Sequence, residues 1–481
     1  MSRTERARRL SLNATPVLGV GAFVAGLLTF TPDIFRDPDT YWHLATGEWV
    51  LRHRTVPTSD PFSWTFYGHL WTAHEWLVDV LLALGYRAAG WSGVAILVGL
   101  AAGSVVALLG LYLRSALPLR VTLIFLVFVV FGMAPSLLAR PHLFALPILV
   151  LWLVGLLDAR RQGRAPSPWL ALLMLVWANL HASFVIGLAL IGPFALESLM
   201  EGRGRRMATF RAWALFGGLA LLLTLINPHG LQGVMYPFQV MNMKTLTLIT
   251  EWQSTRFDTV TLFQAVLFAG LFLMLSLGVR VPPIRLLVLL GLLYLALSQA
   301  RQQIIFVVVA SLLLRDPFAR ALEERFRPTD GDDAFAANRT AAVALAVTLA
   351  SVLLVRLALP IERKDDEVTP QAALTAVPPD LRQQHVLNGY NLGGYLIFKG
   401  VPTYIDGRSD MYGDAFVGGY ATLWRMPSKE LANELDTKKV AWTLLEPGNP
   451  LVPALSQLPG WRRLYADKYA VVHVRAASLP R

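Results

Sequence analysis

Arg36-Asp37-Pro38-Asp39-Thr40-Tyr41-Trp42-His43 follows one apolar stretch, Pro16 to Phe30, in a chain whose remainder is largely apolar segments. Two carboxylates, a histidine and an aromatic pair therefore stand just beyond a first membrane span, at the boundary between water and lipid. Ionisable groups are costly at that depth, and where they are kept they mark a functional site. Asp-Pro is also a helix start, with aspartate as cap and proline at the first helical position. Trp42, Ala45 and Trp49 then share one face, so the helix can lie flat in the interface. Capping accounts for Asp37 but not for Asp39, His43 and Glu48, and the segment reads as a catalytic one at the membrane surface.

Composition agrees with a membrane setting. The 481 residues are 55% hydrophobic and 16% charged, with mean hydropathy +0.49, more apolar and less charged than a soluble protein. The net charge of +11 is distributed as short basic runs between apolar segments, the pattern of cytoplasmic loops, so nucleic acid is not an expected partner. With no cysteine, disulfides, thiolate metal sites and cysteine nucleophiles are excluded. Arg3, Arg6, Arg8 and Arg9 precede the first apolar stretch and no small-x-small site follows it, so it reads as an uncleaved signal-anchor span.

Apolar stretches near 15–32, 92–113, 119–138, 142–157, 168–181, 184–200, 211–226, 259–278, 284–299, 302–314 and 340–359 predict a mainly α bundle of about 11 to 13 spans. Several are short, as in tilted or broken helices that line a cavity. The N-terminal arginines, Arg114 with Arg120, the 158–164 run, the 202–206 run, Arg280 with Arg285, and Arg315 to Arg327 belong in the cytoplasm by the positive-inside rule. The other loops then face outward: the 31–75 loop, Arg140-Pro141-His142, Asn179-Leu180-His181, Asn227-Pro228-His229, Glu251-Trp252-Gln253 and Gln299 to Gln302. His74 to Gly90 is apolar enough to cross, but a crossing there would reverse the parity. It reads as a partly inserted helix leading into 92–113, with a helical hairpin as the alternative. Asp330 to Asn338 reads as a loop.

From Pro360 the composition changes to charged residues, turns and short mixed segments. Strand-like runs at 395–398, 440–445 and 469–474 alternate with expected helices near 414–426, 428–437 and 451–458. The chain is thus divided into a transmembrane catalytic domain, 1–360, and an α/β domain, 361–481, large enough for its own core. By parity the second lies outside the cytoplasm, on the periplasmic side of a bacterial inner membrane.

The outward loops hold the candidate residues. Asp37 and Asp39 are candidates for the base, and with Glu75 they make an all-oxygen ligand set suited to Mg or Mn. His74-Glu75 lacks the second histidine of a helical zinc-protease motif, which excludes that chemistry. His43, His74, His142, His181 and His229 are candidates for contact with substrate, the last three each sitting two residues after an Arg or Asn at the outer end of a span. Arg140 and Arg301 suit a phosphate, because guanidinium stays charged and pairs bidentately with phosphate oxygens. Glu251 joins this outward set. In the C-terminal domain, Asn388 to Tyr395 is too irregular in its glycines for a nucleotide-binding fingerprint, and Asp406, Arg408 and Asp410 are further ligand candidates around an Asp-Gly turn.

With these residues in view, the chain resembles the GT-C superfamily of integral membrane glycosyltransferases. The resemblance rests on one span followed by an outward loop opening Asp37-x-Asp39-x-Tyr41-Trp42-His43, on many short spans, and on an outward C-terminal domain. More narrowly, it resembles a bacterial group of multi-pass proteins with the same opening, an Asn-Pro-His-Gly element at 227–230, and Gly393-Gly394-Tyr395 followed by Ile405-Asp406-Gly407-Arg408. The resemblance implies a polyprenyl-phosphate-linked sugar as donor and a lipid, glycan or protein acceptor on the outer face. It also places the base or metal ligand at Asp37, the first acid of the loop. Pro38 stands where many relatives carry a second, adjacent acid, which leaves open whether Asp39 takes that role. A transporter or flippase would show inverted repeats and midplane charges, and the sequence shows neither. A non-catalytic assembly component would have no need of the acids in the first loop.

Overall fold

The structure, a computed structural model, describes residues 14–201, 206–325 and 339–476. The N-terminal arginines, Arg203 and Arg205 of the second basic run, Arg327 and the 330–338 loop lie outside the described residues.

Every expected span falls on a helix. In chain order they are α1 (Thr15–Thr29), α2 (Asp39–His53), α3 (Trp76–Arg114), α4 (Leu119–Met133), α5 (Pro141–Arg161), α6 (Pro168–Leu180), α7 (Phe184–Glu201), α8 (Arg206–Thr224), α9 (Leu231–Met241), α10 (Leu262–Ser276), α11 (Pro283–Ser298), α12 (Gln303–Arg325) and α13 (Arg339–Ala358). Among the described residues six helices are long and apolar enough to cross a membrane, and α1, α6, α10 and α11 are shorter apolar helices. This is a multi-pass membrane protein. Pro141, Pro168 and Pro283 open their helices, where a missing N–H costs nothing because that donor has no partner within the helix.

The long helix α3 is broken. Ala89 and Gly90 leave helical geometry, Gly90 with φ +58°, a conformation glycine adopts without a Cβ clash. The chain turns there so sharply that a side chain at Gly93 would strike the carbonyl oxygen of Gly85. In a straight helix residues eight apart are about 12 Å apart, so the chain turns sharply at Ala89 and Gly90 and 76–88 is a separate helix from the one that follows.

The chain divides into two compact units. The first comprises Met1–Thr31, Ala95–Gly230 and Leu246–Leu359. Here α1 meets α3 through small residues: Gly21 faces Gly103 and Ala107, and Gly99 faces the backbone of Ala25. Backbones approach closely where no Cβ intervenes, the usual way to gain van der Waals contact in lipid. Buried Arg285 pairs with Glu197 through its Nε at 3.0 Å and Nη2 at 3.1 Å, and Arg160 reaches the same carboxylate at 3.2 Å.

The second unit comprises Pro32–Val94, Leu231–Thr245 and Pro360–Arg481. In this unit 32–94 lies with the C-terminal segment that begins at Pro360. Backbone and side-chain bonds fasten it there. The Trp64 amide donates to Thr403 O at 3.0 Å, Trp64 Nε1 to Val386 O at 3.0 Å, and the Thr65 hydroxyl to Tyr404 O at 2.7 Å.

The C-terminal segment carries α14 (Gln371–Ala376), α15 (Pro379–Arg382), β1 (Val386–Asn388), α16 (Gly393–Phe398), α17 (Ser409–Leu423), α18 (Ser428–Thr437), β2 (Trp442–Leu445), α19 (Leu451–Gln457), β3 (Trp461–Ala466) and β4 (Val471–Arg475). The sheet order is β1-β2-β4-β3, parallel between β1 and β2 and antiparallel elsewhere. The run 395–398, read as a strand, is helix α16. Tyr395, Leu396 and Ile397 are all buried, and a short run buried on every side has no period by which strand and helix differ.

Candidate active site

The acids that open the first loop sit at the start of α2. Asp37 Oδ1 accepts the amide of Asp39 at 2.9 Å, the bond of an N-capping side chain. Asp39 Oδ1 accepts from Trp42 Nε1 at 3.0 Å. A side chain at Gly407 would collide with that Asp39 oxygen, and one at Gly394 with Pro38 O. The two glycine elements of the C-terminal segment are therefore seats for the head of α2.

One turn further along, α2 rests on α3. Gly47 lies so close to the backbone of Asp79 that any Cβ would overlap it. His43, four residues before Gly47, is on the same helical face and reaches Asp79: its Nδ1 donates to Oδ1 at 2.7 Å. Its Nε2 lies 3.9 Å from Glu75 Oε2. His74 Nε2 is 3.5 Å from the other oxygen of Glu75, and the His74 ring packs on Tyr236, centroids 4.1 Å apart. Tyr236 also hydrogen-bonds Asp410.

A pocket opens over this group, lined by Trp42, Trp71, Thr72, Ala73, His74, Glu75, Asp79, Tyr236 and Asp410. Burial pushes His43 toward the neutral form, but the carboxylates of Asp79, Glu75 and Asp39 outweigh it and its pKa is raised. His74 is raised in the same way, with Glu75 opposing the effect of burial. Burial raises Asp410, against His74 and the Tyr236 hydroxyl. The pocket thus mixes hydrogen-bond donors and acceptors between aromatic walls.

Asp406 and Arg408, expected to touch ligand, are 0% and 1% exposed and are committed to an internal network. Arg408 binds both oxygens of Asp406 at 2.7 Å and Asp60 at 2.6 Å. Tyr412 donates to Asp406 at 2.6 Å, and the guanidinium lies over Phe62 and Trp71. An ion group this enclosed is held by its geometry and has no face left for substrate.

The remaining candidates belong to the other unit. Arg140 pairs with Glu251, and Arg301 reaches the same carboxylate at 3.5 Å with its guanidinium 4.2 Å from the Trp252 ring. His142 donates through Nε2 to Ser136 O at 2.9 Å, and its ring centroid is 6.3 Å from that of His181. His181 Nδ1 accepts the Ser183 amide. His229 sits in the 227–230 turn, its amide donating to Asn227 Oδ1. The three histidines are therefore not equivalent: two are neighbours, and the third belongs to a turn.

No family model matches this chain, and no curated protein matches it in sequence. Solved structures do. The oligosaccharyltransferase of Archaeoglobus fulgidus, in its apo form, superposes with TM-score 0.53 over 90% of this chain and 69% of that one, at 11% identity. ArnT from Cupriavidus metallidurans, bound to undecaprenyl phosphate, superposes with TM-score 0.51 over 100% of both chains, at 13% identity. The chain has the GT-C glycosyltransferase fold.

Among the described residues no three of His, Cys, Asp and Glu are grouped to hold an ion. Asp37, Asp39 and Glu75 are not brought together as a ligand set: Asp37 caps α2, Asp39 holds Trp42, and Glu75 faces two imidazoles. The sequence reading passed over Asp79, Trp71 and Tyr236. Asp79 was discernible, since an acid four residues after Glu75 shares its helical face, whereas Tyr236 reaches the pocket only through the fold.

Proposed function

We propose that this GT-C chain is a membrane glycosyltransferase that moves a sugar from a polyprenyl-phosphate donor to a lipid, glycan or protein acceptor at the outer face of the inner membrane. The observation that carries the reading is the head of α2, where Asp37 and Asp39 open a segment that leads to a small pocket lined by aromatic and ionisable residues, in a fold shared with a structure holding undecaprenyl phosphate.

The chemistry follows from these groups. A carboxylate takes the proton of the acceptor hydroxyl, whose oxygen attacks the anomeric carbon. The bond from that carbon to the phosphate oxygen breaks with its electron pair on phosphate, inverting the centre. Phosphate is a good leaving group, so no covalent intermediate is required. Arg140 and Arg301, which share Glu251 in the first unit, are the phosphate-binding candidates of that unit. Asp37 is the first candidate for the base and Asp39 the second.

The test compares the lipid and glycan profiles of a deletion strain and its parent. A sugar-bearing species absent from the deletion strain and restored by the gene supports the reading. Identical profiles would overturn it and bring forward the transporter or the non-catalytic envelope component.

A further inference from the structure

The pocket is lined by carboxylates that the reaction above does not use, Glu75, Asp79 and Asp410. Glu75 faces the pocket and has an imidazole against each oxygen, His74 at 3.5 Å and His43 at 3.9 Å. His43 is 2% exposed and is fixed from behind by Asp79 at 2.7 Å. The arrangement is built rather than incidental, because it needs the close approach of α2 and α3 that Gly47 alone allows. From these observations we propose that Glu75 accepts the proton of the acceptor hydroxyl, and that His43, locked by Asp79, is the positioning residue that orients it.

This rests on the glycosyltransferase reading and deepens it. In the step, the acceptor O–H bond breaks with its proton going to a Glu75 oxygen. The acceptor oxygen bonds to the anomeric carbon, and the phosphate leaves with the electron pair of the old bond. His43 holds its place throughout, its Nδ1–H on Asp79 and its Nε2 toward Glu75. The charged and titratable groups around it are Asp79 and Glu75 from α3 and the residue before it, Asp39 from α2, and His74, which Asp410 of α17 faces in turn.

Asparagine and glutamine at position 43 separate catalysis from structure. His43→Asn leaves an amide near the Nδ1 position, so the link to Asp79 is kept while the group facing Glu75 is lost. His43→Gln places its amide near Nε2 instead. Membranes of the deletion strain carrying each variant, with their endogenous lipid-linked sugars, are assayed for the species that the wild-type gene restores. Melting of each purified variant checks its fold. Glu75→Gln should lower the rate on the order of a hundredfold, with Glu75→Asp recovering part of it. His43→Asn should lower it about tenfold while melting normally, with His43→Gln, whose amide stands near Nε2, recovering part of the loss.

Near-normal turnover in Glu75→Gln, with Asp37→Asn inactive, would leave Asp37 as the base and overturn the proposal. So would full activity in His43→Asn, or a loss that His43→Gln leaves unchanged, which would make the Asp79 link purely structural. If the wild-type gene restores no species at all, the glycosyltransferase reading itself has failed, a result distinct from either of these.

Discussion

Asp37 has two jobs to tell apart, and a single substitution does so. Asp37→Asn keeps a good cap, because the amide oxygen accepts the Asp39 N–H as the carboxylate does, and should cost well under about 1 kcal/mol. If Asp37 is the base, turnover of the restored species should nevertheless fall on the order of a hundredfold, whereas a capping role alone leaves it near normal. Arg408 is the opposite case. Replacing it by Met removes the cation but leaves Asp60 and Asp406 buried without it, and breaking a buried pair from one side costs about 3–5 kcal/mol, to be read in denaturation of the purified protein. Acid should expose the same network. The Arg408 guanidinium and the Tyr412 hydroxyl overcome the burial of Asp406 and hold its pKa below the ordinary carboxyl value. A depressed carboxyl stabilises the fold above its unfolded pKa, about 3.9, and loses that contribution as pH falls through the lower folded value. The melting temperatures of wild type and Asp406→Asn should therefore differ most at neutral pH and converge on acidification.

At the scale of elements, glycines set which helices meet. A Cβ at Gly47 would enter the Asp79 backbone, so Gly47→Val should push α2 off α3, cost about 1–3 kcal/mol as overpacked contacts do, and separate His43 from Asp79. Gly192, inside α7, has open space where a Cβ would stand, and Gly192→Ala should change stability by no more than about 0.5 kcal/mol. Equal melting temperatures for the two variants would show that the α2–α3 approach is not the constraint inferred. The same scale explains why 395–398 is a helix. Gly393 and Gly394 let the chain settle against Asp406 and Pro38 respectively, and those contacts decide the conformation of a segment whose four apolar residues carry no preference of their own.

For the whole molecule, the test is orientation. With the basic runs cytoplasmic, reporter fusions after Arg164 and after Arg206 should read as inside and a fusion at the C-terminus as outside. A cytoplasmic C-terminus would contradict the periplasmic placement of 361–481, and with it the outward location of the α2 segment, which shares a compact unit with that domain. Arg140→Lys and Arg301→Lys probe the other unit. Lysine keeps the charge and loses the planar fork, so each should weaken transfer if it binds phosphate, and activity unchanged in both would reduce them to partners of Glu251.

Much of this protein was legible in its residues alone. Apolar stretches of membrane length, punctuated by basic runs and by Pro141, Pro168 and Pro283, determine where the helices are, because lipid leaves the backbone no other way to satisfy its hydrogen bonds. Asp37-Pro38 fixes the start of α2 by local bonding. What the tertiary structure decided are the pairings between distant residues: Arg408 with Asp60, Asp79 behind His43, Tyr236 on His74, and the union of 32–94 with the C-terminal segment. An arginine after an Asp-Gly turn reads equally as a ligand-binding or a buried residue until its partner is known, and that partner lies 348 positions away. Charge and burial at a site are sums over neighbours in space, which chain order lists only for the nearest few.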